Sequence, residues 1–254
     1  MVQAIYNEYN SKPEQFVNRL MNMGLSEPLG LPIVGEAKPV IPHPDKKGWS
    51  GISLPWMAYG YGVLMTPMQT LTFYNAIAND GVMVRPRFIE NTQNTRSQIK
   101  KQSEVEIINP SICSKETIGK VKSMLKGVVE KPWGTAHNIY DPNFAISGKT
   151  GTCQLDYNTE EVQYVASFVG YFPSDQPKYS CIVVIHRPDK EKGYFGNQVA
   201  APVFQTIAHK LYSSIPRETK LSRDRYFEIT GKKNGTNQIL VEADVKLAKT
   251  QKKS

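Results

Sequence analysis

The sequence predicts an α+β fold in which helices pack on the faces of an antiparallel sheet, and three observations carry that expectation. Three strand-like runs, at 144–154, 162–172 and 179–187, follow one another late in the chain, and consecutive strands joined by short turns pair antiparallel. Four segments repeat apolar residues at helical spacing, the pattern of a helix that buries one face. Hydrophobic residues make up 40% of the 254, which supplies a core and excludes a wholly disordered chain.

Each element has its own local signal. Ser11-Lys-Pro-Glu14 reads as a capping box with Ser11 as N-cap. Phe16, Val17, Leu20 and Met21 then recur at helical spacing, and Gly24 is the stop. Residues 25–56 are rich in Gly and Pro and read as a long ordered loop. Thr66 and Pro67 open a second helix as cap and first residue, with Leu71, Tyr74, Ile77 and Ala78 as its buried face and Gly81 as its end. Residues 82–87 alternate as a short strand, and the polar stretch 90–110 reads as a surface excursion. A third helix runs from about Ser114 to Glu130, with Ile118, Val121, Leu125, Val128 and Val129 on one face. The three strands come next, the last two joined by Pro173-Ser-Asp-Gln-Pro-Lys178, which has hairpin chemistry. A final helix over about 199–212 carries Val203, Phe204, Ile207 and Leu211.

After Tyr212 the character changes. Ser213–Ser254 holds ten Lys or Arg against five Asp or Glu, so most of the net charge of +8 sits there. Two short apolar runs, 226–229 and 238–241, flank Gly231-Lys-Lys-Asn-Gly235 and suggest an isolated hairpin. Residues 1–212 therefore read as one domain and 213–254 as a basic linker or the start of a further module. The tail is either solvated or rests against an anionic polymer or membrane surface. Nucleic-acid binding would rest on that charge alone and is not expected. No run of about 18 apolar residues occurs, and the polar start does not read as a signal peptide. Any export signal or anchor is expected outside these residues. Cys113, Cys153 and Cys181 form no disulfide or ligand pattern, and Cys153 and Cys181 read as small core residues. His43, His137, His186 and His209 have no ligand spacing, so neither metal nor cofactor is expected.

Chemistry concentrates in Ala145-Ile-Ser-Gly-Lys-Thr-Gly-Thr-Cys-Gln154. On a strand Lys149 and Gly151 share one face and Thr150 and Thr152 the other. The lysine lends a positive field, the two hydroxyls can hold a carboxylate, and the glycine permits close backbone approach. A backbone N–H beyond Gly151 suits one arm of an oxyanion hole. Lys-Thr-Gly alone says little, but it is one of three motifs shared by β-lactamases and penicillin-binding proteins.

Further segments carry a wider resemblance. They are Tyr59-Gly-Tyr-Gly-Val-Leu-Met-Thr-Pro-Met-Gln69, Ile77-Ala-Asn-Asp-Gly81, Gly134-Thr-Ala136, Ile146-Ser-Gly-Lys-Thr-Gly-Thr152, Tyr164-Val-Ala-Ser-Phe-Val-Gly-Tyr-Phe-Pro173, Tyr179–Ile185, Tyr194-Phe-Gly196 and Val199-Ala-Ala-Pro-Val-Phe204. In this order and spacing the chain resembles the transpeptidase domain of class B penicillin-binding proteins, the cell-division type in particular. That resemblance implies the fold of penicillin-recognising serine enzymes. It also implies peptidoglycan cross-linking by acyl transfer from a D-Ala-D-Ala stem peptide to an amine, inhibition by β-lactams, and a role in cell division and cell shape. By the same resemblance Lys149 shapes the electrostatics of the cleft, and Thr150, Gly151 and Thr152 form the carboxylate-binding edge. Thr152 also offers its backbone N–H to the oxyanion hole. Division- or elongation-complex proteins are implied partners, and the periplasmic face of the bacterial inner membrane is the implied location, reached through an anchor outside this chain. Tyr59 and Tyr61 either line the cleft or pack in the core.

The family's nucleophile is the Ser of Ser-x-x-Lys, activated by the lysine one helical turn on. Two matches occur, Ser97-Gln-Ile-Lys100 and Ser123-Met-Leu-Lys126, and Ser-x-Asn occurs nowhere. The family's order is Ser-x-x-Lys, Ser-x-Asn, Lys-Thr-Gly, and the helix with Ser123 matches the one just before Lys-Thr-Gly. Neither serine is expected to be catalytic. Met1-Val-Gln-Ala-Ile resembles the family's segment immediately after Ser-x-Asn, so the expectation is a domain without its N-terminal portion: inactive alone, with apolar surface exposed where further helices would pack. Two rivals stand beside the transpeptidase reading, a non-catalytic cell-wall or division-complex binding module and a serine β-lactamase or β-lactam sensor. The second finds no deacylating carboxylate in the sequence.

Overall fold

A computed structural model of the chain describes residues 1–93, 100–155 and 162–214. The chain divides into two units, Met1–Lys210 and Leu211–Ser254; the suggested hairpin in the second, and Ser97, lie outside the described residues. The first unit begins with α1 (Val2–Tyr9), α2 (Pro13–Asn22), α3 (Ser53–Tyr59) and α4 (Pro67–Ala78). Two small antiparallel sheets come after these helices, β1 (Met83–Val84) with β4 (Ile107–Asn109), and β2 (Asn91–Gln93) with β3 (Lys100–Gln102). Then come α5 (Lys115–Glu130), a 3-10 turn (His137–Ile139), β5 (Ser147–Leu155), β6 (Gln163–Phe172), β7 (Tyr179–His186), α6 (Gly196–Val199) and α7 (Ala201–Ser214).

The three predicted strands form an antiparallel sheet in the order β5-β6-β7. Alternation along β6 sorts its side chains into two layers. Phe168 and Phe172 face a core made by Val129, Ile139, Phe144, Ile146 and the α7 residues Ala201, Phe204 and Ala208. Tyr171 faces the other way, into a second core with Ala76 and Ile77 of α4, Met83, and Ile118 and Leu125 of α5. Phe168, Phe172, Phe204 and Tyr171 have no exposed surface, so truncating any one of the three Phe side chains to Ala costs roughly 3–5 kcal/mol. The sheet is thus covered on both faces by helices, as the sequence predicts.

Thr66 caps α4 in a reciprocal box with Gln69: the Gln69 N–H donates to Thr66 Oγ1 at 3.2 Å and the Thr66 N–H donates to Gln69 Oε1 at 2.7 Å. Ser114 caps α5 by accepting the Thr117 N–H at 3.2 Å. Several readings are corrected. The N-cap of α2 is Lys12, with no side-chain cap, not Ser11. Pro13 occupies the first helical position, and its fixed φ places the cap one residue before it. On α4 the buried face is Gln69, Thr72, Ala76 and Ile77, with Leu71 and Tyr74 half-buried. On α7 Val203 and Leu211 are exposed, and Ala201, Phe204 and Ala208 do the packing. At the end of the stretch read as loop and just beyond it, α3 forms over Ser53–Tyr59, buries Leu54, Met57 and Ala58, and ends at Gly60 with φ +95°. The polar excursion holds short strands, and Cys153 is exposed rather than core. Exposed apolar side chains gather in residues 40–64: Val40, Ile52, Trp56, Tyr59 and Leu64.

Candidate active site

Everything chemical in the Lys-Thr-Gly stretch sits on β5, an edge of the three-stranded sheet. With β6 on one side only, alternate β5 residues direct their backbone N–H and C=O groups away from the sheet, where a ligand can meet them. Lys149 bends along this strand: its Nζ donates to the Thr150 carbonyl oxygen at 3.0 Å and to Thr150 Oγ1 at 3.1 Å. The lysine reaches solvent, yet the strands crowding it desolvate its ammonium and lower its pKa from the ordinary 10.5. Cross-strand pairing opposes Lys149 to Val169, Gly151 to Ser167 and Thr152 to Ala166, so Lys149 and Thr152 lie on opposite faces of the sheet.

Two neighbouring elements close around this strand. The first is the chain between α5 and β5. The Gly134 N–H donates to the Lys131 carbonyl at 2.8 Å and the Ala136 N–H to that of Val128 at 3.0 Å, folding the segment back on the end of α5. A side chain at Gly134 would strike the Val128 carbonyl oxygen and lie 2.7 Å from that of Gly127. Ala136 is fully buried. Between these fixed points Thr135 is exposed, and its hydroxyl lies 3.2 Å from Thr150 Oγ1. The sequence contains Thr135 within Gly134-Thr-Ala136 but gives it no role.

The second element is the start of α6. The Gly196 N–H donates to Thr152 Oγ1 at 3.1 Å, which leaves the Thr152 hydroxyl proton available to a ligand. A Cβ on Gly196 would lie 2.6 Å from the Gly151 carbonyl oxygen and would also strike that of Ser167. Only glycine lets α6 approach the strand this closely. Asn138 ties the two elements together, donating from Nδ2 to the Asn197 carbonyl at 2.8 Å.

The structure thus brings Lys149, Thr150 and Thr135 into one cation–hydroxyl group, with Thr152 held by α6 two residues along. Such an edge suits an anion: one ammonium, hydroxyl protons, and strand N–H groups that point outward. The serine matches fare otherwise. Ser123 is exposed on α5, and its Lys126 donates to Asp175 Oδ1 at 3.0 Å. That hydrogen bond raises the pKa of Lys126, the opposite of what a proton-abstracting lysine needs. Tyr59 is exposed, and Tyr61 makes an edge contact with Trp56 at 5.8 Å between ring centres.

A family model described as the penicillin binding protein transpeptidase domain matches residues 4–209. The chain is 30% identical over 209 residues to penicillin-binding protein PbpB of Mycolicibacterium smegmatis, covering 77% of this chain and 31% of that one. It is also 30% identical over 193 residues to peptidoglycan D,D-transpeptidase FtsI of Buchnera aphidicola, covering 74% and 31%. The crystal structure of penicillin binding protein 3 from Mycobacterium tuberculosis superposes with a TM-score of 0.69 at 29% identity, covering 80% of this chain and 47% of that one. The same protein has been solved in complex with ampicillin and with aztreonam. The chain spans about a third of the length of the curated relatives it matches.

Proposed function

The chain belongs to the family of penicillin-binding protein transpeptidase domains, and on that premise we propose that it serves peptidoglycan cross-linking as the part of a serine D,D-transpeptidase that binds the donor's terminal carboxylate. The observation that carries this is the Lys149–Thr150 bonding on an open strand edge, with the Thr152 hydroxyl fixed beside it. Lys149 supplies positive field, Thr150 and Thr152 donate hydroxyl protons to the carboxylate of a D-Ala-D-Ala stem peptide, and Gly151 leaves room for the peptide backbone. The Thr152 N–H then faces the carbonyl oxygen as it gains charge. The acyl group passes to the nucleophilic serine with release of D-alanine, and from the serine to an amine. β-Lactams take the same place through their own carboxylate. The class B relatives favour a division role, with partners in a division or elongation complex at the periplasmic face of the inner membrane. Residues 1–212 form the transpeptidase part, and 213–254 are a basic linker or the start of another module.

A second reading, a non-catalytic cell-wall or division-complex module, draws on two observations: Lys126 of the described Ser-x-x-Lys match is tied to Asp175, and Ser-x-Asn is absent from the sequence. Two measurements on the purified chain test these readings. Backbone amide signals of Thr150 and Thr152 should shift at much lower concentrations of a peptide ending in D-Ala-D-Ala than of its C-terminal carboxamide; equal affinities would remove the carboxylate site. A fluorescent penicillin should leave no covalent band on denaturing electrophoresis. A band would place a working nucleophile within residues 1–254 and reverse the assignment of Ser123.

A further inference from the structure

We infer that Thr135 is a positioning residue of the carboxylate site: its hydroxyl donates to Thr150 Oγ1 and so turns the Thr150 proton outward, toward the ligand. The inference rests on the carboxylate-binding reading given above. Thr150 Oγ1 has two acceptor positions and one proton. Lys149 Nζ occupies one acceptor position at 3.1 Å, and an ammonium can only donate. Thr135 Oγ1, at 3.2 Å, can either donate to Thr150 or accept from it. If it accepts, the Thr150 proton is spent inside the protein and the hydroxyl has nothing to offer an anion. If it donates, both acceptor positions are filled and the proton must point away from them. A bound carboxylate selects the second arrangement, because the chain Thr135 O–H to Thr150 O–H to carboxylate runs in one direction and each bond polarises the next.

Thr135 is also held for such work. Gly134 is wedged against the Val128 and Gly127 carbonyls, and Ala136 is fully buried and bonded to Val128. The hydroxyl between them is presented on a rigid clip at the end of α5, independent of β5 itself. Its hydrogen-bond partner, Thr150 Oγ1, belongs to a side chain assigned to the ligand.

The test compares two peptides, one ending in D-Ala-D-Ala and one carrying the C-terminal carboxamide, titrated into the full chain and followed by backbone amide shifts. Thr135→Val should weaken carboxylate-peptide binding roughly fivefold, the worth of one oriented hydrogen bond, and leave the carboxamide unchanged. Thr135→Ser should bind as wild type. Thr135→Ala carries the same expectation as Thr135→Val without the branched side chain, so misfolding of one variant leaves the other to decide. Equal weakening of both peptides would mean that Thr135 merely shapes the strand, and unchanged carboxylate binding would mean that it does nothing; either overturns the inference. Wild type that does not distinguish the two peptides would overturn the carboxylate site itself, and this role with it.

Discussion

Lys149 is held at a cost. No carboxylate stands among the causes of its lowered pKa, which is desolvation alone. For a lysine whose folded pKa lies below its unfolded value, folding favours the neutral form. The penalty is therefore present below the folded pKa and relieved as pH rises through it toward the unfolded value. Lys149→Met should consequently melt at or above the wild-type temperature at pH 7 while losing carboxylate-peptide binding, the exchange of stability for function seen at binding sites. A clear drop in melting temperature, read by calorimetry, would mean that the bonds to Thr150 outweigh the desolvation. Peptide binding has the opposite sense, since it requires the ammonium. It should be full at neutral pH and fall as pH rises, with a midpoint below 10.5 in the unliganded protein's titration. A midpoint at or above that of an exposed lysine would contradict the crowding of Lys149 on β5.

At the scale of elements, three positions separate backbone constraint from ornament. Gly196→Ala should lower the melting temperature and weaken peptide binding together, because its Cβ would push α6 off the Gly151 carbonyl and withdraw the N–H that holds Thr152. Gly119 is exposed inside α5 with nothing near its missing side chain. Gly119→Ala should stabilise by about 0.5–1 kcal/mol, roughly 1–4 °C for a domain of this size, with binding unaltered. Thr66→Ala removes half of the α4 capping box and should cost about 1 kcal/mol, read by denaturant unfolding. These contrasts also show what the sequence could and could not tell. Thr66-Pro67 and Ser114 were legible because a cap is a local contract between residues three apart. Ser11 misled because Pro13, two residues on, fixes where α2 can start. The seven residues of α3 are too few to show a period, have Pro55 inside them and sit among Gly and Pro. Thr135 and Gly196 escaped because their partners are 15 and 44 residues away, a relation that no local pattern encodes.

For the whole first unit, the sheet and its two covering layers were legible because β5, β6 and β7 are consecutive and long, and β6 and β7 are strongly apolar; the place of the exposed apolar surface was not. Residues 40–64 expose large apolar side chains that composition does not reveal. Val40 and Leu64 pair through two backbone hydrogen bonds of 2.9 Å, Trp56 meets Tyr61 edge-on, and Ile52 opens the same helix whose end carries Tyr59. Val40, Ile52, Trp56, Tyr59 and Leu64 are between 48% and 73% exposed, and apolar surface concentrated in one segment in this way binds other apolar surface. The chain should therefore enhance the fluorescence of a hydrophobic dye in its native state and sediment with a concentration-dependent average mass. The double change Trp56→Ser and Leu64→Ser should reduce both signals. Leu64 contributes little core, so any fall in stability should come mainly from the Trp56–Tyr61 contact and remain small beside the roughly 3–5 kcal/mol of a buried aromatic. Dye binding that persists in the double variant, or that appears only near the melting transition, would show that these side chains do not act as one surface in solution.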